Sequence, residues 1–216
     1  MRYNELTFQG RNAVLEAFRS GKTIDKLFIL DGCQDGPIKS IVREAKKTDA
    51  IINYVDKERL DRLAGTGHHQ GVVAIGAAYE YAEVEDILAA AKEKGEDPFI
   101  FILDEIEDPH NLGAIIRTAN LAGAHGVIIP KRRAVGLTAT VAKTSAGAIN
   151  YTPVAKVTNI SQTIEELKKQ GLWFVCADMG GETMYNLNLK GPIGLVIGNE
   201  GNGVSPVSYT HLRAHE

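Results

Sequence analysis

The stretch Asp108-Pro109-His110-Asn111-Leu112-Gly113-Ala114-Ile115-Ile116-Arg117-Thr118-Ala119-Asn120 decides how the second half of the chain is expected to fold. It follows the apolar run Phe99–Leu103, which predicts a buried strand. Acidic residues end that strand, Pro109 and Asn111 predict a turn, and a helical pattern begins at Gly113. Asn111 and Arg117 are therefore expected at the carboxyl edge of a strand and on the first turns of a helix. In open α/β sheets, ligands bind at that edge.

Two interpretations of Arg117 remain open on spacing alone. The guanidinium serves a ligand at the sheet edge, or it forms a structural ion pair with Asp108 or Glu105. Neither interpretation is favoured by the local sequence.

The composition is that of an ordinary globular protein. The chain has 216 residues, of which 44% are hydrophobic and 24% charged, and its net charge is −3. This charge excludes a polybasic binder, so any contact with nucleic acid has to be local. Two cysteines far apart in sequence indicate a reducing cytoplasm and neither a disulfide nor a metal site. No apolar run approaches the ~20 residues that span a bilayer.

The whole chain predicts an α/β protein with two domains. Residues 1–78 form a small α/β domain, residues 79–97 a polar linker, and residues 98–206 a second domain with regular strand–helix alternation. That alternation predicts a parallel sheet covered by helices on both faces. The predicted strands are 26–30, 51–55, 71–75, 99–103, 127–129, 151–154, 173–177 and 193–197, and the predicted helices are 11–20, 37–47, 57–63, 83–91, 113–122, 139–145 and 160–170.

A second informative segment is the glycine-rich run 194–203, in which a buried strand leads directly into a loop. Its glycines permit positive φ and let a ligand approach the backbone, although a simple tight turn is an equally good explanation of them. The spacing matches neither the dinucleotide nor the phosphate-loop pattern. Glu200 favours a functional loop, because a charged group beside a buried strand usually has a partner.

Three weaker candidates lie elsewhere in the chain. Residues 143–148 are small and either allow close packing or border a flat ligand. The basic turn 131–133 is either solvated or a phosphate contact. His68 and His69 point in different directions on a strand, which argues against a shared metal.

The sequence resembles a known enzyme family at several of these places. DPHNLGAIIRTANLAGAHGVIIP (residues 108–130) and LVIGNEGNGVSP (195–206) are similar to the first and second motifs of the SpoU branch of the SPOUT methyltransferases, the TrmH/RlmB-like enzymes. GRNAVLEA (10–17) and HHQGVVA (68–74) resemble the substrate-binding domain of RlmB-type members. The resemblance covers residues 8–206.

The resemblance implies a function and an assembly. Members transfer a methyl group from S-adenosylmethionine to a ribose 2′-hydroxyl of structured RNA, and RlmB-type members modify a guanosine of 23S rRNA. A tRNA substrate is one alternative, and a non-catalytic RNA-binding or ribosome-assembly module is another. The family also implies a homodimer and an α/β fold with a C-terminal trefoil knot. From the cysteine and histidine pattern we expect a cytoplasmic protein without a metal.

The family's motifs imply roles for individual residues. Arg117 corresponds to the group that activates the 2′-hydroxyl, with Asn111 and Glu200 orienting it and its loop. The expected cofactor contacts are Thr144, Ser145, Ala146, Gly147, Ile197, Gly198, Asn199 and Gly201, and the expected RNA contacts are Arg11, Asn12, His69, Gln70, Lys131 and Arg132.

The end of the chain departs from the family pattern. A third motif is expected after the second, but residues 207–216 are VSYTHLRAHE, which resembles an accidental translation of a transposase sequencing adapter. We therefore expect an incomplete knot, weak or absent binding of S-adenosylmethionine, and no methyl transfer by this truncated chain, whereas the parent protein is expected to be active.

Overall fold

A computed structural model describes residues 6–48, 50–65, 67–177, 180–199, 201 and 203–205. The chain divides into two compact units, one comprising Met1–Glu80 with Gly136–Ala139 and the other Tyr81–Val135 with Thr140–Glu216. Both units combine helices with a β-sheet, which confirms the α/β class. The expectations about the tail 207–216 and an incomplete knot concern residues outside the described ones.

The first unit is built on a four-stranded mixed sheet. Its strand order is β1-β4-β2-β3, with β2 and β3 parallel and β4 antiparallel to both β1 and β2. The elements are β1 (Leu6–Gln9), α1 (Arg11–Arg19), β2 (Ile24–Leu30), α2 (Gly36–Lys47), β3 (Ile51–Val55), α3 (Lys57–Ala64) and β4 (Val72–Gly76).

Local sequence explains the helices of this unit. Asp35 and Asp56 begin α2 and α3 because each carboxylate accepts a hydrogen bond from a backbone N–H in the first helical turn. Gly65 ends α3 in the left-handed conformation. The sequence did not predict β1, because this edge strand has four residues, two of them exposed, and shows no apolar run.

The second unit carries a five-stranded sheet with the order β7-β6-β5-β9-β8, in which all neighbouring strands are parallel. Its elements are α4 (Val84–Lys94), β5 (Phe99–Leu103), α5 (Pro109–Leu121), β6 (Gly126–Pro130), α6 (Ala139–Thr144), β7 (Val154–Val157), α7 (Ile160–Lys169), β8 (Trp173–Ala177) and β9 (Ile193–Ile197), with short 3-10 helices at Ala148–Asn150 and Met184–Asn186.

Two predicted elements of this unit were placed wrongly. α5 begins at Pro109 rather than Gly113, because the Asp108 side chain caps the helix by accepting a hydrogen bond from the N–H of His110 at 2.7 Å. The strand expected at 151–154 is β7 at Val154–Val157, because a 3-10 turn occupies residues 148–150.

The strand order creates a point where the winding reverses. The chain proceeds outward from β5 through β6 to β7, then re-enters at β8 and places β9 beside β5. Leu103 and Ile197, the last residues of β5 and β9, are register partners. Loops that follow these strands therefore begin side by side, although they are 94 residues apart in sequence. Ligands of open α/β sheets bind at such reversals.

Within the described ranges, no helix is long and apolar enough to cross a membrane. The same ranges contain no group of three or more His, Cys, Asp or Glu residues that could hold a metal ion.

Candidate functional site

The loops after β5 and β9 are joined by a buried carboxylate. Asp104 directly follows β5 and is 6% exposed. Its N–H donates to the carbonyl of Ile197 at 2.8 Å, and its Oδ2 accepts from the N–H of Ser205 at 2.9 Å. The sequence motifs at 108–120 and 194–203 thus form one structure at the sheet edge.

Glu105 connects three loops at this edge. Its carbonyl accepts a 3.0 Å hydrogen bond from Asn199 Nδ2 in the loop after β9, and its carboxylate pairs at 2.9 Å with Arg133 in the loop after β6. The hydrogen bond and the charge of Glu105 raise the pKa of the Arg133 guanidinium. Both residues have positive φ, at 59° and 55°, a conformation that costs energy outside glycine. Such strain is found where surrounding contacts fix a functional loop.

Asn199 holds the β9 loop in shape. Its Oδ1 accepts from the N–H of Gly201 at 2.8 Å, and its own backbone pairs with Gly203 through hydrogen bonds of 2.9 and 2.8 Å. Gly198 is glycine because an added Cβ would overlap the backbone of Gly203 and Val204. Of these glycines, only Gly203 has positive φ, so close approach rather than turn geometry explains Gly198.

α5 separates Asn111 from Arg117. Asn111 is half-buried in the first turn, whereas Arg117 is exposed in the third turn. Six residues correspond to about 9 Å along the axis and roughly 120° around it. Arg117 therefore lies further along α5 than Asn111 and on a different face, and its role at the strand edge stays a prediction.

The structure also excludes the ion pairs proposed for Arg117. Glu105 pairs with Arg133 instead, and the Asp108 side chain caps α5. The side chain of Arg117 makes no hydrogen bond or ion pair with any other residue that the structure describes. An exposed cation of this kind is free to meet a polyanion.

The segment 144–147 packs against the first turns of α5. Thr144 Oγ1 lies 3.2 Å from the carbonyl of Pro109 and 2.9 Å from that of Thr140, and the fully buried Ser145 hydroxyl donates to Ala142. These hydroxyls serve the packing. Ala146 and Gly147 have φ of 51° and 89° and turn the chain, so this segment offers backbone and small side chains to a ligand.

Gly113 allows this segment to approach α5 closely. An added Cβ would overlap Thr144 Oγ1 and lie 2.7 Å from Thr144 Cβ and 2.9 Å from the Ser145 nitrogen. The sequence analysis did not single out Gly113, Asp104 or Glu105 as individual site residues. The available clue to Gly113 was its position inside a predicted helix. A glycine there costs about 1 kcal/mol relative to alanine, so its presence indicates that a neighbouring segment packs closely against the helix.

The remaining predicted residues of this unit lie around the edge. Ile197 ends β9, Arg132 is exposed in the turn after β6, and Lys131 is half-buried there with its N–H bonded to Val157. Glu200 lies outside the described residues.

Four predicted RNA contacts lie in the first unit. Arg11, Asn12 and Gln70 are accessible at the amino end of α1 and before β4. His69 is different because it is 6% exposed, with Nε2 2.8 Å from Asp61 and Nδ1 accepting from the N–H of Gly71 at 3.0 Å. Both ring nitrogens are used inside the unit, so the placement favours a supporting role for His69 over the predicted RNA contact.

Family models match both halves of the chain. The SpoU rRNA methylase family matches residues 98–215, and the RNA 2′-O ribose methyltransferase substrate-binding family matches residues 9–82.

Relatives and solved structures agree with these matches. The chain is 52% identical over 196 residues to YacO of Bacillus subtilis, which is named as a TrmH family tRNA/rRNA methyltransferase. The aligned residues cover 90% of this chain and 78% of YacO. A similarly named protein of Staphylococcus haemolyticus is 46% identical over 93% of this chain and 81% of its own length.

The SpoU methyltransferase AviRb of Streptomyces viridochromogenes, solved with AdoMet, has a TM-score of 0.56 at 19% identity, covering 97% of this chain and 78% of AviRb. An rRNA methyltransferase of Sinorhizobium meliloti has a TM-score of 0.53 at 22% identity, covering 96% of this chain and 76% of its own. These likenesses support the fold. The matched families and the relatives together show that the chain belongs to the SpoU/TrmH family of RNA methyltransferases.

Proposed function

We propose that the protein transfers a methyl group from S-adenosylmethionine to the 2′-hydroxyl of a guanosine in 23S rRNA, in the bacterial cytoplasm. The observation that carries the proposal is the junction of the two family motifs at Asp104 and Glu105, where the β5 and β9 loops meet. The substrate-binding family match at residues 9–82 supports RNA as the acceptor.

We propose that the cofactor binds beside this junction. Gly198 and Gly201 follow β9, and Ala146 and Gly147 follow α6, so both segments have the small side chains that suit contact with a flat adenosine group. S-adenosylmethionine supplies an electrophilic methyl group on a sulfonium. We propose that residues 144–147 and 197–201 hold it, with Asn199 shaping the loop through its internal hydrogen bonds.

Arg117 is the proposed catalytic residue. A guanidinium does not readily lose a proton, so it is a poor general base. It can instead bind a phosphate of the RNA, position the neighbouring ribose and stabilise the negative charge that develops on the 2′-oxygen. With S-adenosylmethionine bound, the 2′-oxygen would take the methyl group from the sulfonium and the hydroxyl proton would pass to solvent, while Arg117 holds the ribose in position. Asn111 lies on a different face of α5 from Arg117, so it is proposed to orient the loops together with Glu200 rather than to contact the same group as Arg117.

We also propose a homodimer that uses the exposed face of α5. Leu121 and Tyr151 are both 81% exposed. Their sequence neighbours Asn120 and Thr152 are joined by a 3.3 Å hydrogen bond, so the two exposed side chains lie near each other at the end of α5. Arg117 and Leu121 share a helix face at four-residue spacing. A second copy on this face would cover the apolar side chains beside Arg117. Size-exclusion chromatography should show a dimer that Leu121→Glu converts to a monomer.

Methyl transfer to defined RNAs tests the proposal. Purified protein is incubated with radiolabelled S-adenosylmethionine and 23S rRNA or total tRNA, the acceptor that the relatives' names keep open. We expect label in 23S rRNA at a guanosine ribose. Label only in tRNA would select the alternative substrate, and RNA binding without label in either would favour the non-catalytic module.

Arg117→Ala tests the role of the guanidinium. We expect a loss of about 10²- to 10³-fold in methyl transfer with RNA binding reduced far less. Thr118→Ala is the matched control, because Thr118 is also exposed and bonds only within α5. Unchanged methyl transfer by Arg117→Ala would remove Arg117 from the mechanism.

A further inference from the structure

The first unit contains an open cavity at the amino end of α1. Its volume is about 580 Å³. Four of its lining residues, here called the apolar wall, are Leu30, Cys33, Pro37 and Gly71. The other three, here called the polar wall, are Arg11, Asn12 and Gln70. All seven residues belong to the first unit, so the cavity is complete within it.

Arg11 is held rigidly at the rim of this cavity. Its Nε donates to the carbonyl of Gln70 at 3.2 Å, and its Nη2 donates to Asp35 Oδ2 at 2.5 Å. These bonds fix the plane of the guanidinium, and the Asp35 carboxylate compensates its charge. The side chain remains 34% exposed. A fixed and neutralised guanidinium is a better platform for stacking than a site for a further anion.

Gln70 is held in a strained conformation on the same wall. Its φ is 51°, and its Oε1 accepts from the N–H of Arg11 at 3.1 Å. His69 supports this turn from inside through its bonds to Gly71 and Asp61. The side-chain amides of Asn12 and the Nε2 of Gln70 donate to no other described residue, which leaves them available to a ligand. A strained turn with a buried support indicates a preformed binding surface.

We propose that this cavity binds one unpaired base of the substrate RNA. The base stacks on the Arg11 guanidinium and against the apolar wall, and the amides of Asn12 and Gln70 bond its edge. Proteins recognise RNA sequence chiefly through such extruded bases. A phosphate is a poorer occupant, because Asp35 already pairs with Arg11 and four of the seven lining residues are apolar. The inference rests on the proposed function, since it takes RNA as the substrate.

Binding of two fluorescent RNA hairpins, identical except for one bulged adenosine, tests the proposal. Fluorescence anisotropy gives their affinities over a series of salt concentrations. We expect the bulged hairpin to bind more tightly by roughly five- to a hundred-fold, the range of one stacked base. Cys33→Phe fills the cavity without changing charge and should abolish that preference, whereas Cys33→Ser should retain it. A preference that survives Cys33→Phe, or equal binding of both hairpins to the unmodified protein, would overturn the proposal.

Two further measurements guard against misfolding and against a phosphate contact. The bulged hairpin should slow alkylation of Cys33 by N-ethylmaleimide and leave Cys176, in the second unit, unaffected. Arg11→Ala should weaken binding with little change in the salt dependence. A decrease of about one in the slope of log affinity against log salt would instead identify a phosphate contact.

The assay also separates this inference from the proposed function, because it does not depend on methyl transfer. Methyl transfer without a bulge preference overturns the base-binding cavity alone. A bulge preference without methyl transfer to any RNA overturns methyl transfer by this chain and leaves the cavity supported.

Discussion

Replacing Gly113 by alanine perturbs the packing on which the candidate site depends. The new Cβ would overlap Thr144 Oγ1 and lie 2.7 Å from Thr144 Cβ and 2.9 Å from the Ser145 nitrogen. Two of these three atoms belong to a β-branched side chain with restricted rotamers, and the third is backbone. The segment after α6 therefore has to move away from α5, and its hydrogen bond from Thr144 to the Pro109 carbonyl is lost.

The expected cost follows from three opposing terms. Alanine gains about 1 kcal/mol over glycine inside a helix. Overpacking costs about 1–3 kcal/mol, and losing the Thr144–Pro109 hydrogen bond costs about 1 kcal/mol. The free energy of unfolding should thus fall by about 1–3 kcal/mol, and affinity for S-adenosylmethionine should fall with it, because the displaced segment is the proposed cofactor border.

Urea unfolding followed by tryptophan fluorescence measures this effect selectively. Trp173 is the only tryptophan of the chain and lies in the second unit. Gly180→Ala is the control in the same unit, because its Cβ would meet nothing within 4 Å. Thr144→Gly in the Gly113→Ala background should restore part of the loss. If Gly113→Ala is as stable as the unmodified protein and binds S-adenosylmethionine equally well, the packing argument is wrong.

Three further changes test the loops and the sheet. Gly198→Ala should lower the free energy of unfolding by about 1–3 kcal/mol and weaken cofactor binding in calorimetry. The control Gly201→Ala should change little, because its Cβ would make only an ordinary 3.4 Å contact. Equal effects of the two substitutions would contradict the close-approach explanation of Gly198. His125→Ala should cost about 1–3 kcal/mol in urea unfolding because it removes the acceptor of the half-buried backbone N–H of Phe99, and the exposed His110→Ala should stay within about 0.5 kcal/mol. Glu105→Gly relieves a positive φ but breaks an exposed ion pair, so we expect stability within about 1 kcal/mol of the unmodified protein; a loss of several kcal/mol would show that the pair is stronger than surface pairs usually are.

Periodic apolar patterns were sufficient to predict the α/β class and most elements. The run Phe99–Leu103 and the run before Gly198 are strands as expected, since fully buried strands are short, continuous and apolar. Boundaries were less well predicted where side chains form caps, as at Asp108, because one hydrogen bond shifts the start of α5 by a turn.

The sequence by itself determined the family and the residue types of the site, because long motifs such as 108–130 keep their order whatever the surroundings. Only the tertiary structure decided which of those residues meet. It placed the β5 and β9 loops together through Asp104 and Glu105, left Arg117 exposed in the third turn of α5, and buried His69. The physical reason is that strand order and helix rotation set distances between residues far apart in sequence, and local patterns do not contain them.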